Sequence, residues 1–272
     1  MAFKDVLVLL DERSNQAKQY AALLATAFDA HVTAAALAPD PGTSGGFLDD
    51  GAAFLIPALE EARHAILQML EEFATSFRRS GARVETEVFT EASGTADRAL
   101  GPLARNFDLI VAEQPDPDLP DERRSMIEAV LFASGRPVLV VPSKEGVLGK
   151  LENVLVAWDG SATAARAVGD AIPFLARARR VELVTAVDAV DKTAGSSPRI
   201  VRHLARHGVE AAFHRLPIAD DVASTLLSHA SHAAADLMVM GGYGHSRLRE
   251  RMLGGATRGV LEAMTLPVLM AH

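Results

Sequence analysis

The sequence predicts an α/β protein made of two similar halves, each an open parallel sheet covered by helices. The first reason is that short apolar runs, which are typical of buried parallel strands, alternate with stretches of helical periodicity. The second is an internal repeat, because the run Asn153–Asp159 echoes Asp5–Asp11. The third is a polar, glycine-containing connector at 143–150, which separates the two copies and is typical of a domain boundary.

The elements of the first half follow one another in regular order. Val6–Leu10 predicts a buried strand, and apolar residues between Ala17 and Phe28 recur at helical spacing. The second predicted strand is 31–37, and a loop rich in proline and glycine follows it. The remaining predicted elements are strands at 84–90, 109–112 and 137–141, and helices at 56–79, 95–105 and 122–133. The alternation favours a parallel sheet with helices on both faces.

The repeat extends to the last two strands of each half. The segment 236–240 echoes 108–112, and 267–270 echoes 137–140. The offset between copies is 128 to 130 residues there, but it is 148 at the first strand. The second copy is therefore shorter between its second and third strands, where its helical stretch covers only 198–207.

The composition excludes several classes of function. The 272 residues include no cysteine, which rules out disulfides, zinc–thiolate sites and thiol catalysis. The formal net charge of −8 argues against a nucleic-acid partner, because phosphate contacts require a basic surface. The first apolar run, Val6–Leu10, is too short for a signal peptide or a membrane span, so we expect a soluble cytoplasmic protein.

A glycine-rich loop near the end of the chain carries the pattern most relevant to function. It follows a strand-like run at 237–240 and leads into a helical stretch. Its key residues are Gly241, Gly244, Gly254, Gly255, Ala256 and Thr257. Glycines allow backbone N–H groups to approach phosphate oxygens, and a helix N-terminus adds unpaired donors and the positive end of its dipole. The loop therefore predicts an anion site, although tight turns in any α/β domain also use glycine.

The glycine spacing is neither a Walker P-loop nor a Rossmann fingerprint. Gly241, Gly244 and Gly254 stand in the order G-x2-G-x9-G. This arrangement resembles the nucleotide-binding motif of the universal stress protein family, G-x2-G-x9-G-[ST]. With the tandem repeat, the resemblance covers essentially the whole chain, and the second half is the closer match.

The resemblance implies a fold and an assembly. It predicts tandem domains at 1–145 and 151–272, each Rossmann-like, of the adenine nucleotide alpha hydrolase type, with five strands. In the family, domains pair through their last strands. Here we expect 137–141 and 267–271 to pair within one chain and form a pseudo-dimer, since both would otherwise be exposed apolar edges. A further homodimer is left open.

The resemblance also implies a ligand and a role. The protein would be a stress-response regulator that binds ATP, with or without Mg²⁺, in its second half and acts on a protein partner. Asp159 and its neighbour Gly160 would lie on the adenosine side, and the main chain of Val187 would contact adenine. The glycine segment would hold the ribose and phosphates. An N-cap role for Asp159 or Ser161 is the alternative.

The motif departs from the family at one position. Gly255 stands where the family has serine or threonine, so one hydroxyl donor to phosphate is lost. We expect binding to be weaker by about 1 kcal/mol, with Thr257 as a substitute hydroxyl. Arg247, Arg249 and Arg251 either add positive charge to the site or are solvated surface residues.

The first half has lost the motif. Glu113 and Asp116 place carboxylates where phosphate would lie, and Pro115 removes an N–H donor. Asp11 is retained, but Glu12 follows it instead of glycine. We therefore predict that this half binds no nucleotide in the manner of the family.

Other functions receive less support from the sequence. No general base, Mg²⁺-binding carboxylate pair or lysine stands near the glycine loop, so hydrolysis of ATP should be feeble at most. His203 and His207 have i,i+4 spacing, which indicates solvated histidines more than a metal site. The main alternative is a nucleotide-free interaction or scaffold protein in which the glycine loop is structural.

Overall fold

The structure is a computed structural model that describes residues 2–39, 56–90, 96–115, 122–144, 150–187, 197–244 and 255–272. Gly254, Asp116 and the three arginines predicted near the glycine loop lie outside these ranges.

Ten strands and eight helices occur within the described residues. The strands are β1 (Asp5–Leu10), β2 (His31–Ala38), β3 (Val84–Thr90), β4 (Leu109–Glu113), β5 (Val138–Val141), β6 (Asn153–Ala157), β7 (Arg180–Val187), β8 (Ala211–Pro217), β9 (Leu237–Gly241) and β10 (Val268–Ala271). The helices are α1 (Asn15–Phe28), α2 (Ile56–Arg79), α3 (Ala96–Ala104), α4 (Glu122–Ala133), α5 (Ala162–Leu175), α6 (Ser197–Arg206), α7 (Val222–His232) and α8 (Ala256–Ala263). The predicted alternation of strands and helices is confirmed.

The strands form one continuous ten-stranded sheet in the order β3-β2-β1-β4-β5-β10-β9-β6-β7-β8. All neighbours within each half are parallel. At the centre β5 and β10 are antiparallel, with Leu139 opposite Leu269. The halves therefore pair through their last strands, as predicted, and neither of these apolar strands is left as an open edge.

The helices cover both faces of the sheet, and this explains why the strands are apolar on both sides. Along β1, Val6 and Val8 belong to the core on one face of the sheet, which is covered by α1, α2, α5 and α6, whereas Leu7 and Leu9 belong to the core on the other face, covered by α3, α4, α7 and α8. Because the helices α1 and α5 share one face, their ends meet across the pseudo-dimer. Phe174 of α5 packs against Phe3 and Phe28, with ring centroids 5.1 and 5.3 Å away.

The described part of the chain contains neither a membrane-spanning helix nor a cluster of metal-ligating side chains. None of its helices combines the length and the apolar character needed to cross a membrane. Its histidine and acidic side chains also form no group of three that could hold a metal ion. The rings of His203 and His207 pair with each other, 4.8 Å apart.

Candidate functional site

A cavity of about 390 Å³ opens at the carboxyl ends of β6, β7 and β9. In the sheet, β6 lies between β7 and β9, so the chain leaves it toward one side and returns on the other. Open parallel α/β sheets bind their ligands in the crevice at such a switch point. The cavity therefore lies where this fold is expected to bind a ligand.

One side of the cavity is apolar. Val184 of β7, Met240 of β9 and the i,i+4 pair Val222 and Leu226 of α7 line it. The single tryptophan of the chain, Trp158, lines it as well and is half-buried. This wall suits a flat, weakly polar ring such as a nucleobase. In the sequence, only the i,i+4 spacing of Val222 and Leu226 could have indicated that these two residues share one face of a helix.

The other side is polar and begins at the end of β6. The exposed Asp159 lines it, and its Oδ1 accepts a hydrogen bond of 2.8 Å from the N–H of Ser161. Ser161 is the N-cap of α5, because its Oγ accepts from the N–H of Ala164 at 3.1 Å. Ser161 is therefore the N-cap residue of α5. Within the described residues, Oδ2 of Asp159 accepts no hydrogen bond, so this oxygen is available to a ligand.

The glycines of the loop pack closely against the start of α5. A Cβ atom on Gly241 would lie 2.7 Å from the N atom of Ala164 and 2.6 Å from Oγ1 of Thr163. A Cβ atom on Gly244 would lie 2.7 Å from the same Oγ1. Both glycines thus have a packing reason in addition to any contact with a ligand.

The start of α8 completes the polar side. Its N-cap is Gly255, which offers no side-chain acceptor to the first-turn N–H groups. Ala256 and Thr257 line the cavity beside it. The Thr257 hydroxyl, however, accepts a hydrogen bond of 2.9 Å from the N–H of Tyr243 and is 2% exposed. An open helix N-terminus attracts an anion, whereas the N-terminus of α5 is already capped.

The predicted site residues do not all meet at the cavity. Those that line it are Asp159, Gly241, Gly244, Gly255, Ala256 and Thr257. Gly160 and Val187 are not among the described lining residues, and Gly254 lies outside the described residues. The carbonyl of Val187 accepts from the N–H of Ile218 at 3.0 Å. Val184 and Ala186 of the same strand line the cavity instead.

The corresponding place in the first half is filled by a side chain. Glu113 occupies the strand position equivalent to Gly241, and its Oε2 accepts from the N–H groups of Gln16 and Ala17, at 3.0 and 3.1 Å. These N–H groups form the first turn of α1. The helix N-terminus that could bind an anion therefore already holds a carboxylate of the protein.

Arg123 of α4 closes the same region. Its guanidinium donates to both carboxylate oxygens of Asp11 and, at 3.2 Å, to Oε1 of Glu113. Burial raises the pKa of Asp11, but the hydrogen bonds and charge of Arg123 outweigh burial, so the pKa lies below its ordinary value. Burial also raises the pKa of Glu113, and there the helix N–H groups and Arg123 do not fully offset it. Sequence reasoning missed Arg123, since Asp11, to which it donates two hydrogen bonds, lies 112 positions away along the chain.

Comparison with known proteins identifies the family of the second half. Residues 150–272 match the sequence model of the universal stress protein family. The second half of the chain therefore resembles a universal stress protein domain. The chain is also similar to universal stress protein Slr1230 of Synechocystis sp., with 30% identity over 154 residues. That match covers 53% of this chain and 49% of the relative, so the chain spans about half the length of the curated relative.

Solved structures extend the likeness to the fold of both halves. A universal stress protein from Archaeoglobus fulgidus DSM 4304 superposes with a TM-score of 0.70 over 98% of this chain and 97% of its own, at 17% identity. A functionally unknown protein from Pseudomonas aeruginosa PAO1 gives 0.60 over 99% of this chain and 92% of its own, also at 17% identity. At these identities the likeness concerns the fold alone, which is two α/β halves in tandem.

Proposed function

We propose that the protein is a stress-response regulator that binds ATP in the cavity of its second half. One observation carries this proposal: the cavity joins an apolar wall to an uncapped helix N-terminus at the switch point of the sheet. A nucleobase and a polyphosphate need these two surfaces. The motif G-x2-G-x9-G supports the same ligand.

The residues that line the cavity suggest how ATP is held. Adenine lies against Val184, Leu226 and Met240, and the exposed oxygen of Asp159 accepts from ribose hydroxyls. The phosphates lie at Gly244 and at the first turn of α8. Because no lysine or arginine is among the described lining residues, backbone N–H groups supply most of the phosphate contacts. We expect at most feeble hydrolysis, since Asp159 is the one carboxylate among those lining residues.

The first half, residues 1–145, does not bind nucleotide in this proposal. A nucleotide in this cleft would lie beside the Glu113 carboxylate, at the strand position equivalent to Gly241, and would have to break the Arg123 ion pairs. Removing one member of a buried ion pair is strongly unfavourable. The binding domain is thus 151–272. Nucleotide binding there biases a surface toward a regulatory protein partner in the cytoplasm.

Calorimetric titration with ATP, with and without Mg²⁺, tests the proposal. We expect one site of micromolar affinity, and the fluorescence of Trp158 should change with the same titration curve, because this side chain lines the cavity. Gly244→Asp places a carboxylate at the phosphate end and should abolish binding. Gly242→Ala is the matched control, since a Cβ atom there meets only ordinary contacts at 3.7 Å. Absence of heat up to millimolar ATP, or full affinity in Gly244→Asp, would contradict the proposal.

One observation favours the alternative, a nucleotide-free scaffold protein. Gly241 is required by packing on the backbone of α5, whether or not a ligand binds. A scaffold would therefore keep this glycine too. If the protein is a scaffold, Gly244→Asp should fold normally and capture its partner as the wild type does. If the protein is an ATP-dependent regulator, the same variant should lose its response to ATP.

A further inference from the structure

Tyr243 ties one side of the glycine loop to the first half. Its hydroxyl donates a hydrogen bond of 2.9 Å to Oε1 of Glu128 in α4. Its ring packs on Phe132 of the same helix, with centroids 5.1 Å apart. Tyr243 immediately precedes Gly244, which lines the cavity. The first half thus holds the chain next to the proposed phosphate site.

The backbone of Tyr243 needs such support. Its φ is +52°, in the left-handed region that is strained for a residue other than glycine. The N–H of this strained residue donates to Oγ1 of Thr257, in the first turns of α8. The conformation therefore aligns the strand end with the start of α8, and Glu128 and Phe132 keep the side chain in place.

The other side of the loop is also tied to the first half. Nε2 of the buried Gln114 donates to the carbonyl of Leu261 at 2.9 Å, in the last turn of α8. Arg124 of α4 donates to Oε1 of Glu262 at 3.2 Å. These contacts fix the helix whose N-terminus forms the phosphate end of the cavity.

Helix α4, which carries Glu128 and Phe132, is itself tied to the rest of the first half. Arg123, near its N-terminus, forms the buried ion pairs with Asp11 and Glu113 that fill the first-half cleft. Glu128, further along the same helix, holds Tyr243. The interactions that close the first site thereby fix the helix that supports the second.

We propose that the first half acts as the support of the nucleotide site, with Glu128 and Gln114 as positioning residues for the two sides of the glycine loop. This inference rests on the proposed binding of ATP in the second half. It assigns a role to the half that binds no nucleotide. The adenosine end of the cavity is built from β6, β7, β9 and α7, all of the second half, whereas the contacts with the first half lie beyond β9 at Tyr243 and along α8. The support therefore acts on phosphate binding and leaves adenosine binding unchanged.

The test compares the affinities for ATP and adenosine in variants of the full chain. Glu128→Ala and Tyr243→Phe remove the hydrogen bond and should weaken ATP binding about tenfold, with adenosine affinity unchanged. Glu128→Gln keeps a carbonyl oxygen as acceptor and should restore ATP affinity. Arg166→Ala is the matched control, because it removes a different hydrogen bond between the halves, to the carbonyl of Gly135, away from the loop. An equal loss for both ligands, or wild-type ATP affinity in Glu128→Ala, would overturn the inference.

Amide hydrogen exchange supplies a readout that needs no nucleotide. The N–H of Tyr243 is protected by its hydrogen bond to Thr257. Its exchange should be faster in Glu128→Ala and Tyr243→Phe than in the wild type and in Arg166→Ala. If the wild type binds no ATP and exchange still accelerates, the proposed function fails while the support by the first half stands. Unchanged exchange in both variants would refute the support itself.

Discussion

Three glycines of one loop should respond very differently to the same small substitution. In Gly241→Ala the new Cβ atom would lie 2.7 Å from the N atom of Ala164 and 2.8 Å from the carbonyl carbon of Thr163. Real Cβ atoms essentially never approach other atoms within 3.0 Å, and backbone atoms at a helix start cannot rotate away. The strand end and α5 would have to move apart.

The size of the effect follows from the atoms that each methyl group meets. Overpacking against backbone should lower the free energy of unfolding of Gly241→Ala by about 1–3 kcal/mol. Gly244→Ala meets only the Thr163 hydroxyl at less than 3 Å, which can rotate, so we expect a loss below about 1 kcal/mol. Gly242→Ala meets nothing closer than 3.7 Å and should change stability by less than about 0.5 kcal/mol. None of the three glycines has a positive φ, so backbone strain does not contribute.

Urea unfolding, followed by far-ultraviolet circular dichroism, measures all three variants. The expected order of stability is Gly242→Ala, then Gly244→Ala, then Gly241→Ala. Trp158 fluorescence provides a second probe from the cavity itself. If Gly241→Ala proved as stable as Gly242→Ala, the close packing of β9 on α5 would be wrong.

Two further predictions concern the filled cleft of the first half. Arg123→Ala should lower the free energy of unfolding by roughly 3 kcal/mol, because the Glu113 side chain is only 3% exposed and loses its cation. The exposed ion pair of Arg78 with Glu71 is the control, and Arg78→Ala should lower the free energy of unfolding by less than about 1 kcal/mol. The pKa of Asp11 is depressed in the folded state, so its stabilisation is complete above the unfolded pKa and is lost as the pH falls through the folded pKa. The stability difference between wild type and Asp11→Asn should thus be constant above about pH 5 and shrink below about pH 4, as measured by unfolding at each pH; a difference that grows on acidification would contradict the Arg123 pairing.

The sequence was sufficient for the fold because the signals involved are local or repeated. Apolar runs bounded by glycine and proline predict the strands, and the resemblance to the universal stress protein family predicts that 137–141 pairs with 267–271. The observed antiparallel pairing of β5 and β10 confirmed this assignment. Asp159 was identifiable for the same reason, since it follows a strand that echoes the one before Asp11.

The site was less predictable because its decisive contacts join residues far apart in the chain. Arg123 meets Asp11 across 112 positions, and Tyr243 meets Glu128 across 115. The spacing of apolar residues along the sequence does not indicate contacts between residues so far apart. Thr257 is another example: its oxygen accepts the Tyr243 N–H, a contact between positions 14 apart that the sequence did not indicate, whereas its role as a hydroxyl donor to phosphate stays a prediction.

The number of ATP molecules bound per chain distinguishes the two halves, because we propose that ATP binds to the second half and is excluded from the first. Native mass spectrometry of the full chain with excess ATP should show one bound nucleotide, and Gly244→Asp should show none. Two bound nucleotides in the wild type would mean that Glu113 and Arg123 do not close the first half. One nucleotide retained in Gly244→Asp, or none in the wild type, would contradict the assignment of ATP to the second half.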